Sequence, residues 1–264
     1  MTVIVAKVSS LGKGILDTVS GFGSSWLFFF EILRKSISVP VYFSLIIKQL
    51  FFIGFQSLSV ILLVSGFTGA VLAVQAEYTL SKFGATAFVG PAVALSLIRE
   101  LGPVLTALMV IGRAGSAMTA ELGIMKITEQ IDALRSMAVD PVRYLMVPRF
   151  IAALIAVPLL TAIFNVVGIF GGYVIAVYNL GLGSGAFMSQ MISAVTYIDV
   201  MSGFVKSVVF GICFVWIACY KGWTCGFGAV GVNRATTSSV VTASVVILVL
   251  DYFLTSILTQ IFLD

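Results

Sequence analysis

The sequence contains no histidine, and charged residues of either sign are scarce. Histidine is the commonest general base at neutral pH and a frequent zinc ligand, so its absence argues against both kinds of site. Aspartate, glutamate, lysine and arginine make up only 10% of the 264 residues, against about a quarter in a soluble protein. The chain therefore has too little charge to cover a surface that faces water.

Cysteine is also rare, and no motif for nucleotide phosphates is present. Cys213, Cys219 and Cys225 form no CxxC pair, so we expect them to pack as small apolar side chains, without a metal or a disulfide. No GxxxxGK[ST] loop occurs. We therefore expect no cofactor in this chain, and if the function needs ATP and magnesium, we expect a separate subunit to bind them.

Apolar residues dominate the sequence and make up 60% of it. The predicted fold is an all-α integral membrane protein, because a spanning helix needs about 20 largely apolar residues. Five segments satisfy this requirement: Phe52–Tyr78, Ala87–Met118, Phe150–Tyr178, Val200–Tyr220 and Ser238–Phe262.

The placement of basic residues predicts the orientation of these spans. Of the 15 basic residues, Arg99 and Lys206 lie within spans and Lys82 lies on one side, which leaves 12 on the other side. Basic residues accumulate on the cytoplasmic side of membrane proteins. We therefore expect a cytoplasmic N-terminus and a C-terminus on the outer, periplasmic side.

The N-terminal segment differs from the spans. It lacks the charge and apolar pattern of a signal peptide. The stretch WLFFFEILRKSI is too short to span but is typical of an amphipathic helix in the headgroup plane. A helical hairpin that dips into one leaflet is the alternative. We predict a division into residues 1–49, at the membrane surface, and residues 50–264, a five-helix transmembrane domain.

The second predicted span, with the sequence LSLIRELGPVLTAL, carries two adjacent charges and a helix-breaking pair. Pro103 lacks an N–H and frees the carbonyl of Arg99, so we predict a helix break at Gly102 and Pro103. Charges at this depth are costly and face a bundle interior or a wet cavity. Arg99 and Glu100 are therefore candidates for a substrate cavity, with a buried polar clamp between helices as the alternative.

Two further patterns predict contacts between spans. Lys206 and Asp251 lie at similar depth in two antiparallel spans, which predicts a structural ion pair. The spacing of Gly112, Ser116 and Ala120 is typical of close helix packing.

Residues 126–137 predict a short amphipathic helix on the cytoplasmic face. Its charged side carries Glu129, Asp132 and Arg135, which suits the docking of a soluble partner. A passive surface connector is the alternative.

Four stretches in order resemble the MlaE family of ABC-transporter permeases: ALSLIRELGPVLTAL, GRAGSAMTAELG, EQIDALRSMAVDPVRYLMVPRF and KSVVFGICFVWIACYKG…GVNRATTSSVV. The resemblance extends from about Ser57 to the C-terminus. It implies a homodimer in the inner membrane of a diderm bacterium that moves phospholipid and maintains outer-membrane lipid asymmetry. The implied partners are a cytoplasmic ATPase, a STAS-domain protein and a periplasmic MCE-domain hexamer; we expect no nucleic acid.

The resemblance also implies roles for residues already identified. Residues 126–137 would form the coupling helix, with Glu129, Asp132 and Arg135 contacting the ATPase. Arg99 and Glu100 would form the polar end of a lipid pocket, with the planar guanidinium suited to phosphate. The acyl-chain path would be lined by Leu72, Gln75 and Tyr78.

Two other functional hypotheses remain open from the residues themselves. One is a proton- or ion-coupled carrier in which Glu100 titrates. The other is a membrane scaffold that transports nothing. An enzyme is the least favoured class, because no nucleophile and base are paired in the spans.

Overall fold

The computed structural model describes residues 20–36 and 42–263, and within these ranges every regular element is a helix. Five of the helices are long and apolar enough to cross a membrane, as predicted. We label the helices α1 (20–36), α2 (Phe43–Ser81), α3 (Thr86–Ile127), α4 (Gln130–Ser136), α5 (Val142–Asn179), α6 (Ser184–Ala194), α7 (Tyr197–Trp223) and α8 (Gly228–Leu263).

Each predicted span corresponds to one helix, and each helix is longer than predicted. The largest difference is in α8, which begins at Gly228 and includes a polar run that the hydropathy pattern placed outside the span. This run fits a helix because its hydroxyls bond back to their own turn. Thr236 Oγ1 donates to the carbonyl of Val232 at 2.9 Å, and Thr237 Oγ1 donates to that of Asn233 at 3.1 Å.

The predicted helix break at Gly102 and Pro103 is wrong. Helix α3 is continuous through both residues, and the turn before them, Leu97–Leu101, widens into a π turn. A π turn shifts the hydrogen-bond ladder by one residue, so a proline can follow without its ring striking the preceding turn. The sequence therefore marked an irregularity correctly, but its form is a bulge.

Helix α2 is interrupted where no interruption was predicted. The α-helical run stops at Ile53, and a short 3₁₀ turn over Phe55–Ser57 follows. Arg113 of α3 holds this interruption: its Nη1 donates to the Phe52 carbonyl at 2.7 Å and to Ser57 Oγ at 2.9 Å. The predicted division after residue 49 falls inside α2.

Helix α1 packs across α5 and α7 near the end of the bundle that carries α4. The Trp26 ring lies 4.8 Å from that of Trp216, whose Nε1 donates to the Ser25 carbonyl at 2.9 Å. Its other side exposes Leu27 and Phe30. An amphipathic position in the headgroup plane remains a prediction, and the parts of the N-terminal segment at residues 1–19 and 37–41 lie outside the described residues.

Helices α2 and α5 meet through their backbones at Gly69 and Gly168. A Cβ atom at Gly69 would lie 1.7 Å from the Gly168 carbonyl oxygen, so only glycine fits there. At Gly112, where the small-residue spacing predicted close packing, a Cβ atom would meet no atom of another described helix within 4 Å. The close approach at Gly69 and Gly168 was not predicted, and at Gly112 the predicted close approach is not seen among the described residues.

We expect Gly69→Ala to destabilise the bundle, because its methyl group would force two backbones apart. Overpacking of a core costs about 1–3 kcal/mol, and here the neighbour that must move is backbone. Gly66→Ala, one turn earlier, is the matched control, since the nearest atom to its Cβ would be 4.0 Å away. Thermal unfolding midpoints in detergent test this, and equal midpoints for the two variants would contradict it.

Candidate functional site

The ammonium group of Lys206 on α7 is the centre of a buried polar cluster. It donates to the carbonyl of Arg99 at 2.9 Å, to Thr255 Oγ1 at 2.7 Å, and to the carboxylate of Glu100. Asp251 Oδ1 lies 3.1 Å from the same nitrogen. The predicted partners Lys206 and Asp251 are therefore adjacent, in a cluster that joins α3, α7 and α8.

The number of protons on the Lys206 ammonium explains which of its neighbours accept a hydrogen bond from it. An ammonium has three N–H donors, and these go to Arg99, Glu100 and Thr255. Asp251 Oδ1 makes no hydrogen bond and is held by charge alone. The Arg99 carbonyl is available because Pro103, four residues later, has no N–H to occupy it.

Arg99 points away from Glu100 and has a separate partner. Its Nη1 lies 3.5 Å from Asp199 Oδ1, and its side chain is 42% exposed. Asp199 is fixed by its own backbone turn, because its other oxygen accepts from the Thr196 N–H at 2.8 Å in a capping box at the start of α7. The two adjacent charges of α3 thus serve different contacts, as expected for neighbours on a helix.

These groups line a cavity of about 180 Å³ between α3, α7 and α8. Two cationic side chains, Arg99 and Lys206, and two carboxylates, Glu100 and Asp199, line the cavity, so their charges balance when all are ionised. Asp251 contacts Lys206 but lies outside the lining. Apolar side chains contribute another part of the wall. The cavity can hold a small polar group, and the guanidinium is its most accessible cation.

The residues predicted to line an acyl-chain path lie elsewhere. Leu72 borders an open apolar groove of about 450 Å³ on α2, whose other lining residues are Leu63, Val64, Phe67, Thr68 and Val71. Tyr78 is 63% exposed, and Lys82 Nζ lies 4.0 Å from the centre of its ring. Leu72, Gln75 and Tyr78 do not line the polar cavity, so one copy of the chain does not bring the two sets together.

The predicted amphipathic helix is shorter than residues 126–137. Helix α4 is Gln130–Ser136. The residue before it, Glu129, has a left-handed φ of 57°, and this turn separates α4 from α3. Lys126 belongs to α3 and donates to the Cys225 carbonyl at 2.9 Å. The left-handed turn re-aims the chain, so that Ile131 is buried.

The three charged residues predicted for α4 differ in their availability. Glu129 is exposed, and no ion pair joins it to another described residue. Asp132 and Arg135 pair with each other at 2.9 Å. The Arg135 guanidinium lies 5.7 Å from the centre of the Trp223 ring. Glu129 is therefore the most accessible of the three for a partner.

Several members of the polar cavity were not predicted. Thr196 and Asp199 form the pattern [ST]-x-x-[DE] before an apolar run, which is a readable capping signal. Thr255 lies four residues after Asp251 and so shares its helix face. The contact between Lys206 and Glu100 had no comparable signal, because it depends on the rotation of α3 relative to α7.

Comparison with known proteins gives consistent matches over nearly the whole chain. The family described as "Permease MlaE" matches residues 46–257. A Haemophilus influenzae protein named "Intermembrane phospholipid transport system permease protein MlaE" is 44% identical over 256 residues, which are 97% of this chain and 98% of that protein.

Other organisms carry similar proteins. A "Probable ABC transporter permease protein" of Rickettsia felis is 45% identical over 249 residues, covering 94% of this chain and 96% of the relative. The Arabidopsis thaliana "Protein TRIGALACTOSYLDIACYLGLYCEROL 1, chloroplastic" is 35% identical over 230 residues, or 87% and 66% of the two chains.

We expect Lys206→Met to be strongly destabilising, because it leaves two carboxylates facing each other without a cation. Removing one partner of a buried ion pair costs about 3–5 kcal/mol. Neutralising the carboxylates as well, with Glu100→Gln and Asp251→Asn, should recover part of the loss.

Thr259→Val is the control, since Thr259 lines the same cavity without contacting the ammonium. Thermal unfolding and assembly are the measurements. If Lys206→Met and Asp251→Asn each left assembly and transport intact, the ion pair would have no structural role.

Proposed function

The chain belongs to the MlaE permease family, and on that premise we propose that it is the permease subunit of an ABC transporter for phospholipid. It moves phospholipid between the inner and outer membranes and so maintains the lipid asymmetry of the outer membrane. The observation that carries this proposal is the near full-length match to the Haemophilus phospholipid-transport permease.

The proposed setting is the inner membrane, with the end of the bundle that carries α4 in the cytoplasm. The excess of basic residues at this end supports that orientation. Two copies of the chain assemble with a cytoplasmic ATPase, which binds ATP and magnesium. A STAS-domain protein and a periplasmic MCE-domain hexamer complete the proposed complex.

The polar cavity supplies a proposed contact for the lipid headgroup. Arg99 has the planar donor fork that suits phosphate, and it is held by a single carboxylate at 3.5 Å, which is longer than a good charged hydrogen bond. A phosphate entering the cavity competes with Asp199 for this guanidinium. Glu100, by contrast, is committed to Lys206 and Thr255 and acts as a positioning group.

The acyl chains need an apolar surface that the cavity of about 180 Å³ does not offer. The groove beside Leu72 on α2 is apolar and open, and we assign the chains to this side together with Gln75 and Tyr78. Because one copy keeps the groove apart from the cavity, the complete path requires the second copy of the proposed dimer.

An ion-coupled carrier that uses Glu100 gains no support from these observations. The carboxylate of Glu100 is paired with a buried ammonium, and the Rickettsia relative is named as a permease of an ABC transporter. A catalytic role is equally unsupported, and we assign ATP hydrolysis to the partner subunit.

Native mass spectrometry with lipid analysis tests the headgroup contact. We expect the complex to carry co-purified phospholipid, and we expect Arg99→Ala to lose it, because a bidentate donor to phosphate is removed. Ser202→Ala, on the wall of the same cavity, is a control that keeps every charge. Equal lipid occupancy in the two variants would place the headgroup elsewhere.

We expect charge reversal on α4 to release the ATPase. Glu129→Lys, just before α4, and Asp132→Lys, on α4, change exposed acidic groups without touching a buried contact. Glu77→Lys, at the opposite end of the bundle, is the matched control. Co-purification of the ATPase is the measurement, and full retention with unchanged activity in the α4 variants would refute the docking role.

A further inference from the structure

A second cavity, of about 740 Å³, lies between α1 and the segment that joins α4 to α5. It is separate from the proposed transport path, which uses α2, α3, α7 and α8. Basic, acidic and apolar side chains all line it. Its position, at the end of the bundle that carries α4, places it at one membrane surface in the proposed orientation.

The charges in this cavity do not cancel. Lys35 Nζ lies 2.6 Å from Glu31 Oε1 and 2.6 Å from Asp140 Oδ2, so one ammonium serves both carboxylates. Arg34 and Arg143 line the same cavity. Among the described residues of the lining, three cationic groups and two carboxylates give a net charge of +1.

The contact between Lys35 and Asp140 persists at every physiological pH. Burial by itself would raise the pKa of Asp140. The hydrogen bond and the charge of Lys35 have a larger, opposite effect, so the pKa of Asp140 lies below its usual value of 3.8. Burial acts to lower the pKa of Lys35, and the two carboxylates outweigh that effect and raise it above 10.5. The contact is therefore lost only at a pH below 3.8, where Asp140 is protonated, or at a pH above 10.5, where Lys35 is deprotonated.

Arg34 is the cation in this cavity that can bind an added anion. It is exposed, and no ion pair joins it to another described residue. A guanidinium presents a planar fork of donors that matches two phosphate oxygens. The cavity therefore contains a guanidinium that can bind an anion, beside the ammonium of Lys35, which is already paired with two carboxylates.

The rest of the lining points to a lipid as the source of that anion. Leu27 is 73% exposed and Phe30 is 60% exposed, and Phe22 on the same helix is 66% exposed. Exposed apolar side chains are costly against water but not against acyl chains. Positive charge at one end and exposed apolar side chains at the other fit an amphiphile better than an acidic protein surface.

We propose that this cavity binds the phosphate of an anionic phospholipid in the cytoplasmic leaflet, with Arg34 as its donor and the acyl chains along Leu27 and Phe30. The assignment to that leaflet rests on the proposed orientation. Because Lys35 ties α1 to Asp140, just beyond α4, a bound lipid braces the proposed coupling segment against the membrane surface.

The position of the tryptophans makes this site directly measurable. The chain has three, Trp26, Trp216 and Trp223, and all lie at this end of the bundle against or beside α1. Brominated phospholipids quench tryptophan fluorescence on contact. The full chain is reconstituted in bilayers that contain brominated phosphatidylglycerol or brominated phosphatidylethanolamine in both leaflets, so the result does not depend on orientation or on transport.

We expect phosphatidylglycerol to quench more strongly than phosphatidylethanolamine at equal mole fraction. Arg34→Gln should reduce this selectivity about tenfold, the loss expected for one charged hydrogen bond to phosphate. Arg143→Gln should reduce it as well. Lys48→Gln is the matched control, because it removes a positive charge from α2 outside the cavity.

Three outcomes would overturn the proposal. Selectivity that is equal in Arg34→Gln and Lys48→Gln would show only a general surface charge effect. Quenching that inorganic phosphate abolishes at millimolar concentration would identify a site for free phosphate. Loss of the ATPase from Arg34→Gln, with lipid selectivity retained, would make the cavity a protein-docking surface. The two quenching results leave the transport proposal untouched, because no ATP is present in that experiment and Arg99 is unchanged. Loss of the ATPase would concern docking and would leave the headgroup contact of Arg99 untouched.

Discussion

The bundle depends on how a single buried ammonium is neutralised. Lys206 lies nine residues along α7, about 14 Å from its start, where an unpaired charge would cost about 2.5–3.5 kcal/mol. Its side chain is only 2% exposed. The compensation comes from two other helices at once: α3 supplies Glu100 and a carbonyl that Pro103 leaves free, and α8 supplies Thr255 and Asp251. The relative depth of these three helices is therefore fixed by one nitrogen atom.

Helix α3 takes part in polar contacts with each of the other spans. Besides the Lys206 cluster, its Arg113 holds the interruption of α2, and its Thr119 Oγ1 lies 3.0 Å from Ser239 Oγ of α8. Glu121 pairs with the buried Arg149 of α5 at 2.7 Å. Helix α3 is also followed by α4 after the left-handed residue Glu129, so the proposed coupling helix is joined to the helix that carries Arg99 and Glu100.

The sequence was informative where a single residue sets the chemistry. Five spans followed from hydropathy, and the freed carbonyl of Arg99 followed from Pro103. The ion pair of Lys206 and Asp251 was expected from depth alone. These inferences need only the position of a residue along its own helix.

The features of the fold and the site that the sequence did not predict depend on how the helices are rotated and how closely they approach each other. Glu100 lines the same cavity as Arg99, but its carboxylate is bound to Lys206, and only the rotation of α3 about its axis decides this contact. The π turn replaced a predicted break because the hydrogen-bond ladder can absorb a proline in more than one way. Orientation, dimerisation and the partner proteins stay predictions.

Transfer of phospholipid between reconstituted liposomes, with ATP and the partner ATPase supplied, tests the central claim most directly. We predict transfer that requires ATP, continues when the proton gradient is collapsed, and falls sharply in Arg99→Ala. Transfer that persists without ATP and stops when the proton gradient is collapsed would contradict the ABC-transporter assignment and would make Glu100 the coupling group.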